Sequence, residues 1–383
     1  MGCKVSYVPL GELAEFESGG TPSKKIESYW GGSIPWISAK TLVGDTVYES
    51  DLTISKEGLE SGSKLASKGS LLLLTRGSGL FKRIPLAIAG IQVAYNQDIK
   101  CISANAKGIS NRYLFYALKA LEPAISAMLE TTGIGAGKLA TDRLKALPIP
   151  VLAEDARAKV TSFADCIYGK ISLNAKLNGY LEELADSLFK RRFGGLPDNA
   201  SLSDTADITM GQSPVGSSYN EDGVGTVFYQ GRAEFGWRYP SQRLSTTEPK
   251  RMARCGDVLM SVRAPVGDLN IAFEDCCIGR GLAAIHSEHP SFCLYLMRSL
   301  HGKLDAFNGE GTVFGSINGR ALKSLPIALP ETREIQAFEK EAFPIDALIR
   351  DNELQSRFLV ALRDALLPRL MSGEIDVSKV ALI

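Results

Sequence analysis

This chain lacks any uninterrupted apolar run approaching the roughly 18 residues that a membrane-spanning helix needs, although 45% of its 383 residues are apolar. A membrane-embedded class is therefore not expected. Its opening, MGCKVSYVPLGELAEF, carries a lone Lys4 and no apolar core of signal-peptide length, so the expectation is a cytoplasmic protein. Metal-ligand rhythm is also missing. The seven cysteines are scattered, the adjacent Cys276 and Cys277 do not make a CxxC, and His286, His289 and His301 stand apart from any cysteine cluster. That spacing argues against a zinc site and suits free buried thiols. Net charge is absent too, 43 basic residues balancing 43 acidic ones, which removes the bulk positive field of a nonspecific nucleic-acid binder. Local basic surfaces are compatible with a neutral total when acids gather elsewhere.

What the chain does have is a second copy of itself. LKALPIP begins at Leu144 and LKSLPIA at Leu322, an offset of 178 that also relates Gly133 to Gly311, Gly137 to Gly315, Leu181 to Leu359, Asp186 to Asp364 and Arg191 to Arg369. Upstream the offset drifts, as small loop insertions would make it: Lys68 through Arg76 matches Cys255 through Arg263, and ELAEFESGGTP resembles DTADITMGQSP with Pro22 facing Pro214. Copies of this length exceed a solenoid unit and suit a domain plus a connector.

Each copy has two textures. Its first part is rich in Gly, Pro and Ser with short apolar runs, Leu71 to Leu74 and Val258 to Met260, which reads as strands and turns. Its last part reads as one long helix. From Glu154 to Phe193 there is no proline, and Ile167, Ile171, Leu177, Leu181, Leu184 and Leu188 recur at helical steps. The second copy, from Glu331 to Met371, repeats the stripe with Ile345, Ile349, Leu359, Leu362 and Leu366, and Pro344 is expected to start, break or kink it. About 40 residues make a helix about 60 Å long, which cannot bury its stripe alone. The economical arrangement is an antiparallel coiled coil of the two. Asn174 and Asn352, at matching positions near that seam, either fix its register or are solvated face residues.

The segment SGGTPSKKIESYWGGSIPWISAKTL, from Ser18 to Leu42, closely resembles the opening of target-recognition domains in the specificity subunits of type I restriction-modification systems. LRDALLPRLMSGEIDV, from Leu362 to Val377, resembles the finish of that family's second helical region. The resemblance implies an α+β fold: two pseudo-symmetric globular target-recognition domains, residues 1–152 and 195–330, separated by two long antiparallel helices, 153–194 and 331–383. It implies a non-catalytic chain reading a bipartite site on double-stranded DNA, with no cofactor of its own. Two modification subunits would carry S-adenosylmethionine and methyl transfer, and restriction subunits the ATP- and Mg-dependent translocation and cleavage.

Within that frame the residues suited to DNA can be named. No acid stands between Ser61 and Gln97, where Lys64, Lys68, Arg76, Lys82 and Arg83 fall. Arg, Asn and Gln can read base edges bidentately, whereas Lys grips phosphates. Arg76, Asn96 and Gln97 are therefore the base-reading candidates, and Lys40 and Lys82 the phosphate contacts. The loop Thr131 to Lys138 offers Lys138 and a close backbone approach, or is a plain surface turn; its GIGAGK is one residue short of a P-loop and Leu139 follows the lysine. In the second copy Gln230, Arg232, Arg238 and Arg243 share their stretch with only Glu234. Gln230 and Arg232 are the preferred pair, joined by Arg263 at the repeat position of Arg76 and by Arg280 between two glycines. Each arginine is weighed against a structural ion pair, and Trp36, Tyr229 and Trp237 against plain core packing. QGRAEFGW and SAKTLVGD occupy one repeat position with hardly a side chain in common, so the two half-sites are expected to differ.

Two other classes compete with this reading. A nuclease or methyltransferase finds little support: there is no Asn-Pro-Pro-aromatic tetrad and no glycine-rich cofactor fingerprint, and Pro197-Asp198 with the distant Glu248 and Lys250 is a spacing expected by chance. A pure scaffold would use the long helices alone and show no sequence preference on DNA.

Overall fold

The computed structural model describes residues 4–133, 135–309 and 315–377. Among them no helix is long and apolar enough to cross a membrane. The chain divides into two compact units, one made of residues 1–172 with 355–383 and the other of 173–354. The division falls inside both long helices, because the two ends of each helix pack on different cores.

The first unit is built on two sheets. One runs in the order Ala14–Ser18, Ile99–Ala104, Leu71–Leu74, Leu86–Ala89, Thr46–Val47, and the other in the order Thr53–Ile54, Trp30–Ile37, Val93–Tyr95, Lys64–Ala66. Leu71–Leu74 reads as a continuous apolar run because all four residues are buried, as expected of a central strand covered on both faces. In the second unit Asp207–Met210, Leu282–His286, Val258–Ser261 and Leu269–Ile271 form one sheet. Tyr219–Asn220, Leu244–Thr246, Thr226–Tyr229, Cys276–Ile278 and Met252–Ala253 form the other. Four strands of each sheet follow the same order in both units, Thr46–Val47 and Tyr219–Asn220 being the additions, and a parallel pair lies within the second sheet of each, Ala94 beside Trp36 in one unit and Cys277 beside Phe228 in the other. The repeat in the sequence is thus a repeat of topology.

The matching glycines of GGTP and GQSP have a steric reason. A Cβ at Gly19 would lie 2.2 Å from the Tyr95 carbonyl oxygen, and one at Gly211 would lie 2.2 Å from that of Gly279. Only glycine lets the chain pass so close to the neighbouring strand.

The long helices span Glu154–Phe193 and Thr332–Met371, 40 residues each. Acids at the first turn of the former, Glu154 and Asp155, and bases at its last, Lys190 to Arg192, complement the helix dipole. In the first unit its early turns, Ala156, Val160 and Ala164, share a core with Leu367, Leu370 and Met371 of the second helix. In the second unit its late turns, Ala185, Phe189 and Phe193, share a core with Ile335, Phe338 and Ala342. The pairing is antiparallel in each. Phe189, Phe193, Phe292 and Phe338 stack with centroids 5.2 to 5.8 Å apart, each pair worth about 0.5–1.5 kcal/mol beyond the area it buries.

Two expectations are corrected. Leu177 and Leu184 do not sit in the seam: they are 37% and 50% exposed, whereas Asn174, Asn178 and Ala185 face inward. Small and polar residues hold the middle of the seam, so the apolar stripe traced there belongs to an adjoining face that also carries Leu173 and Tyr180. Ile349 is fully buried, Leu188 and Leu366 pack half-buried on the two cores, and Ile171, Leu181, Leu359 and Leu362 are half-buried. Of the three effects expected of Pro344, a start and a break are excluded, since the helix runs through it from Thr332 to Met371. Pro344 and Lys340, whose carbonyl the proline deprives of a donor, lie on the exposed side where water can bond instead.

The asparagines do more than line the seam. Asn352 Nδ2 donates to Asn178 Oδ1 at 2.8 Å, Asn174 Nδ2 to the Asn352 carbonyl at 3.2 Å, and Asn178 Nδ2 to the Ile349 carbonyl at 3.3 Å. All three side chains are buried, and such bonds form in one register only.

Candidate nucleic-acid interface

In the first unit the candidates leave the ends of two neighbouring strands. Trp30–Ile37 and Val93–Tyr95 run parallel, so Ser38–Lys40 and Asn96–Gln97 emerge at one edge, and Asn96 N–H donates to the Ile37 carbonyl over 3.0 Å. Thr41 shapes the first turn, its hydroxyl accepting from Ser38 N–H at 2.8 Å, which leaves Lys40 exposed. From the other side Gly20 N–H donates to the Tyr95 carbonyl at 2.9 Å and the Thr21 hydroxyl to Gln97 Oε1 at 2.6 Å. Thr75 N–H donates to the Asp98 carbonyl at 2.7 Å and Leu139 N–H to the Thr75 carbonyl at 2.9 Å, setting Arg76 across the ladder from Lys138. Arg83 donates to the Leu42 carbonyl at 3.4 Å and ties Lys82 to the Lys40 turn. Backbone and side-chain bonds together therefore connect the segments that carry Lys40, Arg76, Lys82, Gln97 and Lys138.

The second unit repeats the backbone bonds of the scaffold. Gly279 N–H donates to the Tyr229 carbonyl at 2.8 Å, Gln212 N–H to that of Ile278 at 3.0 Å, Val262 N–H to that of Gly281 at 3.0 Å, and Ile317 N–H to that of Val262 at 3.0 Å. Arg263 bridges Ser316 as Arg76 bridges Lys138. The Arg280 N–H lies 3.4 Å from the Ser213 hydroxyl, at the place of Thr21 beside Gln97. Five positions correspond: Ser38, Lys40, Arg76, Gln97 and Lys138 in the first unit, against Gln230, Arg232, Arg263, Arg280 and Ser316 in the second. One frame thus presents two different sets of donors.

Charge at these positions is largely uncommitted. Lys40, Arg76, Lys82, Lys138, Arg263 and Arg280 make no ion pair among the described residues. Arg232 is the exception, paired with Asp268 while its side chain stays 55% exposed. An exposed pair of this kind is worth about 0–1 kcal/mol, little hindrance to exchanging Asp268 for another anion.

Comparison with known proteins decides the family. The family model for the type I restriction modification DNA specificity domain matches residues 4–182. A protein assigned as the type I restriction enzyme MjaX specificity subunit of Methanocaldococcus jannaschii is 32% identical over 74% of this chain and 72% of its own length. The chain belongs to the type I restriction enzyme specificity subunits. The specificity subunit of EcoR124I/EcoR124II from Escherichia coli is 30% identical over 42% of this chain and 40% of its own. The crystal structure of the S subunit from M. genitalium shares the fold, with a TM-score of 0.62 at 13% identity over 96% of each chain.

Several residues of this specificity subunit fall outside the interface. Asn96, expected to read bases, is 7% exposed and folded onto its own turn: its Oδ1 accepts from Asp98 N–H at 3.1 Å and its Nδ2 donates to Asp98 Oδ2 at 3.3 Å. That is the Asx turn for which asparagine is suited, and at 7% exposure it gives a base little access to the amide. Trp36 and Tyr229 are core, at 4% and 1% exposure, while Trp237 is 54% exposed. Lys64 is drawn to Glu17 at 3.5 Å, and Arg243 to buried Glu234 at 2.8 Å. Asp198 is held by Lys303 at 2.6 and 2.7 Å. Of the Thr131–Lys138 loop, Ile134 lies outside the described residues, as does Gly311 of the repeat.

Arg238 is structural as well. Its side chain is 2% exposed, ion-paired to Glu182 of the first long helix at 3.4 Å and to Asp346 of the second, and close to the Tyr295 hydroxyl. Arg298 pairs with Glu182 from the other side. Burial works against the charge on Arg238, but Asp346 and Tyr295 outweigh it and hold the guanidinium above its ordinary pKa. The network fastens the loop that begins at Gln230 to both helices. Thr21, Ser38, Ser213 and Ser316 are the positions of the frame that sequence reasoning passed over, although the aligned Thr-Pro and Ser-Pro pairs were a signal for Thr21 and Ser213.

Proposed function

We propose that this specificity subunit reads an asymmetric, two-part DNA target, each unit contacting one half-site through its five scaffold positions. The carrying observation is that the same hydrogen-bonded frame holds Lys40, Arg76, Gln97 and Lys138 in one unit and Gln230, Arg232, Arg263 and Arg280 in the other. Arginine offers bidentate contacts to guanine and Gln97 or Gln230 to adenine, while Lys40, Lys82 and Lys138 serve the phosphates. The long helices, each contributing to both units, act as the spacer. Methyl transfer with S-adenosylmethionine belongs to two modification subunits, and ATP- and Mg-dependent cleavage to restriction subunits, all in the cytoplasm. Flipping of the methylated base would fall to the modification subunits, with this chain holding the duplex.

The test is binding of duplex DNA by the chain assembled with its modification subunit. Affinity should fall steeply with salt and depend on sequence. Arg280→Ala should cost about 1–3 kcal/mol and relax one base position of one half-site, whereas Lys82→Ala should weaken all sequences alike. Loss of sequence preference in the unaltered complex would refute the reading. Inserting one helical turn in each long helix should lengthen the gap between half-sites; an unaltered gap would remove the spacer role.

A further inference from the structure

The second unit carries a basic cavity that none of the reading positions uses. It has a volume of about 670 Å³ and is lined by Arg251, Arg320 and Lys323 together with the hydroxyl residues Ser203, Thr209 and Ser324. No acid lines it. The three cations are exposed and make no ion pair among the described residues. Of the acids nearby in sequence, Asp204 is turned into its own helical cap, accepting from Ser201 N–H at 2.7 Å, and Asp207 lies two residues back along the strand from Thr209.

The cavity adjoins the reading scaffold through the backbone. The Arg251 carbonyl accepts from Ile278 N–H at 2.9 Å, two residues before Arg280. Arg320 and Lys323 lie on the short helix Gly319–Lys323, capped by Asn318, which follows Ser316 and Ile317. Both arms of the cavity therefore start where reading positions end.

The internal repeat supplies a control. Met252 lies opposite Cys277 as Leu65 lies opposite Ala94, so Arg251 corresponds to Lys64. Ile208 lies opposite Ile285 as Phe16 lies opposite Ile102, so Thr209 corresponds to Glu17. The offset that relates Leu144 to Leu322 relates Asp142 to Arg320 and Lys145 to Lys323. In the first unit these four positions hold two bases and two acids, and the charges cancel. Lys64 is paired with Glu17 at 3.5 Å, and Lys145 lies over the Phe16 ring at 5.7 Å. In the second unit the same positions hold three bases and no acid. The frame is equal in the two units, and the charge is not.

We infer that this cavity grips a phosphodiester segment beside the second half-site, a backbone contact that the first unit lacks. The inference rests on the DNA-reading role proposed above. Three cations and hydroxyl side chains lining one cavity without an acid suit an oxyanion, and an open cavity joined by the backbone to the strand that leads to Arg280 suits one on a duplex laid across the scaffold. Such a grip carries no base information, so it adds affinity and salt dependence to the second half-site without altering what is read there.

The experiment uses the complex with the modification subunit and a duplex containing the target, with affinity measured by fluorescence anisotropy over a series of chloride concentrations. The variant carries Arg251→Gln, Arg320→Gln and Lys323→Gln, all at exposed positions, with circular dichroism to check folding. Each neutralised phosphate adds about 0.9 to the salt slope, so a fall of about 2–3 with unchanged sequence preference is expected. The charge-conserving variant with Arg251→Lys and Arg320→Lys should restore the slope. In the mirror experiment, Glu17→Thr with Asp142→Arg in the first unit should raise it. An unchanged slope in the triple variant, while the unaltered complex still prefers its target, overturns the inference and leaves the reading role intact. Loss of target preference in the unaltered complex overturns both. If the triple variant binds DNA normally but loses binding of inorganic phosphate seen by phosphorus NMR, the cavity serves a free anion and the inference fails.

Discussion

Replacing Arg238 with methionine isolates the contribution of the buried charge network to the second unit. The guanidinium is 2% exposed and its partners Glu182 and Asp346 are each 14% exposed, so removal leaves Asp346 mostly buried without a counter-ion. Breaking a buried pair in this way costs about 3–5 kcal/mol. Glu182 keeps Arg298, which places the expected loss at the lower end, about 3 kcal/mol. With a urea slope of about 1–3 kcal/mol per molar, the second unit's transition should move down by about 1–3 M. Hydrogen exchange during the titration, followed on peptides from 226–246 and separately on peptides from 71–104, assigns the loss to one unit. Adding Asp346→Leu to the methionine variant removes one stranded charge and should recover part of the stability. A loss below about 0.5 kcal/mol, the range of an ordinary surface substitution, would refute the reasoning, as would equal destabilisation of both sets of peptides.

Asn352→Leu alone should lower the melting temperature, because it leaves Asn178 Oδ1 buried without its donor at a cost of about 1–3 kcal/mol, whereas Asn178→Leu with Asn352→Leu should recover most of it. Gly211→Ala forces a methyl to within 2.2 Å of the Gly279 carbonyl and should destabilise the second unit by about 1–3 kcal/mol in urea titrations, impairing one half-site only in binding assays. Burial pushes the Cys293 thiol up to about 12, so at pH 8 it should resist maleimide in the folded chain and react on unfolding, while exposed Cys166 and Cys255 label at once, as mass spectrometry would resolve.

The repeat and the long helices were legible because they rest on periodicity, which survives without coordinates. Paired Leu144 and Leu322 segments announced the duplication, and an uninterrupted run from Glu154 to Phe193 announced the rod. The seam was less legible. Its middle is held by Asn174, Asn178 and Ala185, and a search for large apolar residues slid one face over, to Leu177 and Leu184. Pro344 left several outcomes open because a helix breaker is tolerated where water can replace the missing bond. At the interface, residue type alone could not separate Asn96, consumed by its own turn, from Gln97 beside it, which is exposed. Nor could it separate buried Arg238 from exposed Arg232, six residues earlier in one loop. Those distinctions depend on which backbone groups face each side chain, and sequence distance is blind to that. The charge asymmetry at Arg251, Arg320 and Lys323 became visible only when strand registers aligned the two copies.

The most direct measurement is a genome-wide map of methylated bases in cells carrying this subunit with its partners, compared with cells in which residues 1–152 are exchanged for those of another family member. The expected result is a motif of two unlike parts separated by a fixed gap, of which the exchange alters one part and leaves the other part and the gap unchanged. A palindromic motif, or an exchange that rewrites both parts together, would contradict the account.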